Sequence, residues 1–359
     1  MNQARNICNL LKKWRITASA PYRVDVGGTW DLKAFALPYE RIKPTTVNFA
    51  LSMRTKVELL PFMDGWVKVS DKYTEEAYAW EGIPFDTNFR LIFAIISYFH
   101  LHGLEIKLSY DAPPKSGLGG SGVLAVCTVG ALDKAQDLLE PNTPTLSKVQ
   151  IVHIAHNIED GLRFSYTGLQ DQCAAAYGGV NKWIWRYASM DGKFERHEVL
   201  PEEHHAEIAS RLLVAYVGES HVSSDVNKEQ VASFHSGKTR QKWLRINDIA
   251  SEFADAIAIL DWEKVVALVQ EENDIRLSMI PCRITPIGER LQTIAQEIGG
   301  GFGITGAGGG GCVWAICPKP EQTSELRSRW QELLKNVPNG KVLDVGIDNQ
   351  GMIVEAEEA

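Results

Sequence analysis

A chain of 359 residues, 45% hydrophobic and 23% charged, is long enough to bury two cores and too apolar to stay unfolded. Its formal net charge of −8, with no basic run, excludes nucleic acid and an anionic membrane surface as the main partner. A small anion in a local basic pocket is still allowed. Six cysteines, Cys8, Cys127, Cys173, Cys282, Cys312 and Cys317, lie scattered without C-x-x-C pairs, as expected of reduced core thiols rather than a disulfide framework or zinc site.

The first segment, "NICNLLKKWRITASA", ends like a signal-peptidase site, but Lys12, Lys13 and Arg15 interrupt the apolar region a signal needs. No later stretch approaches the roughly 20 apolar residues of a membrane span. A cytoplasmic protein is expected, with no membrane partner, as a monomer or homo-oligomer. The stretches "RITASAPYRVDVGG" and "TTVNFALSMRTKVELLP" read as strands and "WVKVSD" as another. After "PPKSGLGG", the run "SGVLAVCTVGALDKAQDLL" has helical period, so the glycines sit at a helix start. "PTLSKVQIVHIAHNIEDGL" predicts a second helix, with Ser147 as N-cap and Val149, Val152, Ile158 and Leu162 on one face. Residues 180–199 read as a strand pair. The polar "PEEHHAE" is followed by "RLLVAYVG" and helical runs to about Ile298, which divides the chain into 1–203 and 204–359. "CVWAICP" and "KVLDVGIDNQGMIVEAE" read as strands, the last two joined through Asp348-Asn349-Gln350-Gly351. The fold class is α+β, without a repeat of solenoid period.

The stretch Pro113–Gly122, "PPKSGLGGSG", carries G-x-G-x-x-G at Gly117, Gly119 and Gly122. A dinucleotide fingerprint would need an acidic residue about 20 positions on, at the end of a strand. Asp137 has that spacing but falls inside the predicted helix, and Pro113-Pro114 break the entry from the preceding strand. No Gly-Lys-Ser/Thr follows, so a Walker A loop is excluded as well. A phosphate cradle at a helix N-terminus remains, formed by Pro114, Lys115, Ser116, Gly117, Leu118, Gly119, Gly120, Ser121 and Gly122. A plain structural loop is the alternative that these residues alone leave open.

Together with that loop, "SAPYRVDVGGTWDL" (19–32) and "GITGAGGGGCVWAI" (303–316) resemble, in order, the three motifs of the GHMP kinases. "YTGLQDQCAAAYGG" (166–179) and "YVGESHVSSDV" (216–226) are similar to the sugar-kinase branch that includes D-glycero-D-manno-heptose 7-phosphate kinases and bacterial L-fucokinases. The resemblance implies a two-domain fold with ATP and a sugar or sugar phosphate in the interdomain cleft. It implies Asp171 as the carboxylate that accepts the proton of the sugar hydroxyl and Arg23 as its cationic partner. Ser121 and Glu159 become Mg²⁺ ligands, and Asp31, Gly28, Thr29, Gln172, Gly308 and Gly309 become acceptor contacts. On the residues, His221, Ser223 and Ser224 fall in a loop after a buried strand and are candidates for the sugar side, a lone His there being more often structural, and Trp66 and Trp80 are expected in the core rather than against adenine.

On the residues alone, Asp171 is equally well a helix-capping aspartate and Glu159 a solvated surface charge. The motif also departs from the family: Gly27-Gly28-Thr29-Trp30-Asp31 stands where Gly-Gly-Gly-Thr-Asp or His-Thr-Asp is common, so an indole intrudes and the spacing from Arg23 shortens by one. That bears on which sugar is taken more than on the reaction. Three functions compete: a kinase acting at an anomeric hydroxyl, heptose 7-phosphate kinase-like or else L-fucokinase- or galactokinase-like; a mevalonate-pathway enzyme, against which "G-x-Q-D-Q" counts; and a non-catalytic ATP and sugar sensor. The joint presence of Ser121, Glu159, Asp171 and Arg23 argues for chemistry.

Overall fold

The computed structural model describes residues 4–163, 167–190, 192–219, 223–279 and 284–358, without the side chains of 163 and 223–225. The loop residue His221 and the side chains of Ser223 and Ser224 therefore lie outside the described residues, as does Cys282.

Strands β1 (Trp14–Val26) and β2 (Thr45–Pro61) are long and apolar, and they pair antiparallel along their length. They seed a large sheet with β3 (Trp66–Ser70), β4 (Glu75–Ala79) and β5 (Leu104–Tyr110). The far end of β2 pairs with β6 (Val180–Trp185), which carries β7 (Phe194–Leu200). Both faces are covered along residues 20–26 of β1 and 45–51 of β2, whereas from Leu51 on β2 alternates, with Met53, Thr55, Val57 and Leu59 buried and Ser52 and Lys56 exposed. Helix α1 (Arg90–Phe99), α2 (Gly120–Leu139), α3 (Lys148–Arg163) and α4 (Gln170–Tyr177) follow in the first half. α2 packs on β1, with Val123, Val126, Val129 and Leu132 buried.

The second half holds a four-stranded antiparallel sheet of β8 (Leu212–Tyr216), β9 (Gly301–Ile304), β10 (Cys312–Ile316) and β11 (Lys341–Leu343), ordered β9-β10-β8-β11. Its own core of Leu213, Phe302, Val313 and Trp330 is closed by α8 (Pro286–Glu297) and α9 (Pro320–Leu334). Between them run α5 (Ser223–His235), α6 (Arg240–Ala258) and α7 (Trp262–Met279). α6 lies against β2 and α7 against β9, which brings the two halves together.

The last strand, β12 (Ile353–Glu358), pairs with β1 in the first sheet, from Ile353 opposite Ser19 to Glu358 opposite Trp14. β11 and β12 are thus not a hairpin, and Asp348–Gly351 carries the chain from one sheet to the other. We propose a domain boundary near residue 204, with β12 contributed to the first unit. Ser147 does cap α3: its Oγ accepts the Gln150 N–H at 3.3 Å, and Gln150 Oε1 accepts the Ser147 N–H at 2.9 Å. The buried face of α3 is Ile151, Val152 and Ala155, with Ile158 partly covered, whereas Val149 is 38% exposed on the first turn. Trp80 packs over His100 and His102, ring centroids 5.6 and 6.4 Å apart, and Trp66 is half-exposed. Among the described residues the five cysteines are free, four of them buried.

Candidate active site

The Pro21–Arg23 step is where local chemistry begins to shape the site. Proline has no N–H for the ladder, and the β1–β2 register shifts between Pro21 and Arg23. The Arg23 N–H turns instead to the Leu118 C=O, 3.2 Å away in the glycine loop. That loop ends at Gly119, whose φ of 84° starts α2 in a conformation that side chains resist. A Cβ at Gly119 would also sit 2.9 Å from Cγ of Asp171, so the loop and the carboxylate touch because nothing projects between them. Pro114, Lys115 and Gly120 are exposed, Ser121 and Gly117 half-buried, and Ser116, Leu118 and Gly122 buried.

Arg23 is 4% exposed and fully engaged. Its Nε and Nη2 reach Oδ1 of Asp171 at 2.8 and 2.5 Å, while Nη1 meets the Gly117 C=O at 2.9 Å and Asp25 Oδ1 at 3.0 Å. Burial alone would lower its pKa, and the Asp171 and Asp25 carboxylates more than reverse that, so the guanidinium is held firmly charged. Both contacts to Asp171 fall on Oδ1. Among the described residues no hydrogen bond to Oδ2 is found, and the side chain is 25% exposed.

Asp31 forms a buried floor beside this pair. Its carboxylate accepts the Gln170 N–H at 3.1 Å and Gln170 Nε2 at 3.3 Å, and its backbone C=O accepts the Tyr187 hydroxyl at 2.6 Å. Gln170 Nε2 also bonds the Gly28 C=O at 3.1 Å. Thr29 is held by Gln230 at 2.8 Å. The indole of Trp30 does not enter this space: it is fully buried among Phe35, Tyr39 and Phe234, with its Nε1 on the Trp243 C=O at 2.8 Å. Its bulk ties the first motif to α6.

Burial, and then the charge of Asp171, push the Asp31 carboxyl up to about 8. A folded pKa above the unfolded one contributes stability that is complete below about pH 4 and is lost as pH rises through about 8. Asp31→Asn should therefore flatten the fall in melting temperature between those values. An unchanged slope in a pH series of thermal melts would contradict it.

Glu159 is buried on α3 and accepts Gln172 Nε2 at 2.7 Å. Gln172, read from the sequence as an acceptor contact, is thus turned toward Glu159. A Cβ on Gly122 would lie 2.6 Å from Asp171 Cβ and 3.1 Å from Gln172 Cδ, which puts the start of α2, next to Ser121, against the same group. The third glycine segment closes on the first, with the Cys312 N–H on the Ser116 C=O at 2.7 Å. Within it Gly308 is buried and Gly309 exposed.

Sequence reasoning passed over Asp25, Gln170, Tyr187, Glu272 and Arg276. Asp25 follows Arg23 by two on a strand and so shares its face, a signal that was available. Glu272 and Arg276, four apart on α7, had no such cue.

A glycine loop at a helix start in one half, closed by a glycine segment of the other, suits a site that holds phosphates on backbone donors. The chain belongs to the GHMP kinases: the GHMP kinases N terminal domain matches residues 89–179 and the GHMP kinases C terminal domain residues 250–336. It is 25% identical over 342 residues to the bifunctional fucokinase/GDP-fucose pyrophosphorylase of Arabidopsis thaliana, covering 89% of this chain and 31% of that protein. The chain thus spans about a third of that relative's length. It is 21% identical over 373 residues to the mevalonate kinase of Thermococcus sibiricus, covering 95% and 98%. A D-glycero-D-manno-heptose 1-phosphate kinase from Bacteroides thetaiotaomicron shares the fold, with a TM-score of 0.70 at 17% identity over 95% of this chain and 98% of that one. No described helix is long and apolar enough to cross a membrane.

Proposed function

We propose that this protein is an ATP-dependent kinase of a sugar or sugar phosphate, acting at the anomeric hydroxyl in the manner of heptose phosphate kinases, in the cytoplasm. The observation that carries the reading is the acceptor floor: the buried Asp31 carboxyl, bonded by Gln170 and adjoining Arg23 and Asp171. Such a floor suits a polyhydroxylated ligand, whose hydroxyls donate to carboxylate oxygens. Asp171 Oδ2 receives the acceptor proton, Arg23 holds Asp171 in place, and the loop from Ser116 to Gly122 supplies backbone donors to the phosphates.

For Mg²⁺ the candidate donors are a hydroxyl, Ser121 at the start of α2, and a carboxylate, Glu159, which holds Gln172; both are oxygen donors that fit a hard cation. Among the described residues no group of three or more His, Cys, Asp or Glu could hold a metal, so nucleotide oxygens would complete the shell. The ion would neutralise phosphate charge when bound. Ser121→Ala should raise the Mg²⁺ concentration needed for turnover and leave the melting temperature unchanged; full turnover in EDTA would contradict the assignment.

A second reading, mevalonate kinase, is favoured by the relative covered over 98% of its length. Coupled ADP release with heptose 7-phosphate, fucose, galactose, mannose and mevalonate decides between them. Turnover of mevalonate and of no sugar would overturn the proposal, and ATP binding without turnover of any acceptor would indicate a sensor.

A further inference from the structure

The catalytic Arg23 is one end of a buried polar relay that two residues outside every motif complete. Asp25 Oδ1, bonded to Arg23, also accepts the N–H of Gly306 at 3.3 Å. The C=O of the same Gly306 accepts Nη2 of Arg276, whose Nη1 reaches the Ile304 C=O at 3.3 Å. Arg276 lies 3.7 Å from Glu272, one turn earlier on α7, and Glu272 Oε1 accepts the N–H of Gly27 at 3.0 Å. Asp25, Glu272 and Arg276 are at most 3% exposed.

Buried ions cost several kcal/mol each to desolvate, and a well-packed apolar pair would often hold a helix as well. Here each charge ends on the backbone of a loop the reaction needs. The third segment, Gly306-Ala307-Gly308-Gly309-Gly310-Gly311, has almost no side chains with which to hold itself. Glycine has the most backbone freedom to lose on ordering, so the conformation of such a run has to be imposed from outside. Asp25 grips one side of Gly306 and Arg276 the other, while Glu272, on the same helix as Arg276, holds Gly27 at the start of the 27–31 segment, the acceptor loop.

We propose that Glu272 and Arg276 are positioning residues that lock Gly306 and Gly27 in register, and so set the third glycine loop and the acceptor loop against the Arg23–Asp171 pair. The proposal rests on the phosphoryl-transfer reading and not on which acceptor is used. Arg276→Met leaves Gly306 held from one side only. It should lower kcat by about 10²-fold, the scale on which a misplacement of about 1 Å acts, with KM for ATP nearly unchanged. Arg276→Lys restores the charge without the planar fork and should recover part of the loss.

The test pairs turnover with hydrogen–deuterium exchange of the full chain, with and without a non-hydrolysable ATP analogue. Exchange over 304–311 should accelerate in Arg276→Met and be partly slowed again in Arg276→Lys, while α1 and α9 keep the rates of the unaltered protein. Trp330→Phe, which loses the bond to the Leu291 C=O in the second core, serves as the destabilised comparator. An Arg276→Met protein with unchanged kcat and unchanged exchange at 304–311 overturns the proposal, as does an equal kcat loss in Trp330→Phe. If Arg276→Met does not fold, Glu272→Gln replaces it: the amide still accepts from Gly27 but no longer pairs with Arg276. The same two changes, smaller in size, are expected there, and their absence is equally fatal. Should the unaltered protein phosphorylate none of the acceptors, the functional reading fails by itself and the exchange measurement still decides the positioning role.

Discussion

Asp171→Asn is expected to lower kcat by about 10²-fold or more, the lower range for losing a general base, while calorimetric ATP affinity stays close to that of the unaltered protein. An anomeric hydroxyl is far too weak an acid to ionise freely near neutral pH, so its proton needs a carboxylate within hydrogen-bond reach. Both Arg23 contacts use Oδ1 of Asp171, which leaves Oδ2 for that proton. The amide keeps the size of the side chain and removes its charge. Arg23→Ala should also lower kcat, and the double variant should lose much less than the product of the two, because both residues serve one step. Arg23→Ala further strands Asp25 and Asp171, at a stability cost of about 3–5 kcal/mol for breaking a buried pair, so kinetics belong well below its melting temperature. Near-normal kcat in Asp171→Asn would show that the base lies elsewhere or that none is used.

Gly168→Ala is expected to cost acceptor kcat/KM about 10²-fold, with nucleotide affinity retained. A Cβ there would stand 1.7 Å from Oδ2 and 2.2 Å from Cγ of Asp171's neighbour in the site, Asp31. The backbone at Gly168 is not left-handed, so alanine brings no dihedral strain and the effect comes from contact alone. Asp31 is short and anchored by Gln170, and its neighbour Leu32 bridges to Gly168, so the carboxylate has to leave its place. Unfolding should show a loss of about 1–3 kcal/mol from overpacking. Saturation curves for both substrates check the prediction, and unaltered acceptor kinetics would remove Asp31 from the acceptor floor.

How the fold came to be legible differs from element to element. The ends of β2 coincide with the stretch read from Thr45 to Pro61, because β-branched residues and a closing proline mark them locally. The Gly120–Leu139 helix likewise follows from a glycine loop leading into a helical period. By contrast "RLIFAIISYF" and "LEIKLSY", which form α1 and β5, were not singled out. The first is a ten-residue run with few polar positions; its buried Ile92, Phe93, Ile95, Ile96 and Phe99 do recur at helical spacing, a signal that was available. Val149 shows a limit of that signal: apolar residues at helical spacing indicate a face, yet the first turn of α3 reaches past the core.

The sequence by itself determined the family and the glycine loop at its helix start, and it put Arg23, Asp31 and Asp171 forward as candidates, because each stands in a contiguous motif whose spacing is local. Only the tertiary structure decided that β12 returns to the first sheet, that Trp30 spends its bulk away from the acceptor floor, and that Gln172 turns to Glu159. It alone joined Glu272 to Gly27 across 245 positions and Arg276 to Gly306 across 30. Local patterns record neighbours one turn or one strand step apart, whereas a buried charge is paired with whatever the folded chain brings within about 3 Å, since leaving it unpaired costs several kcal/mol.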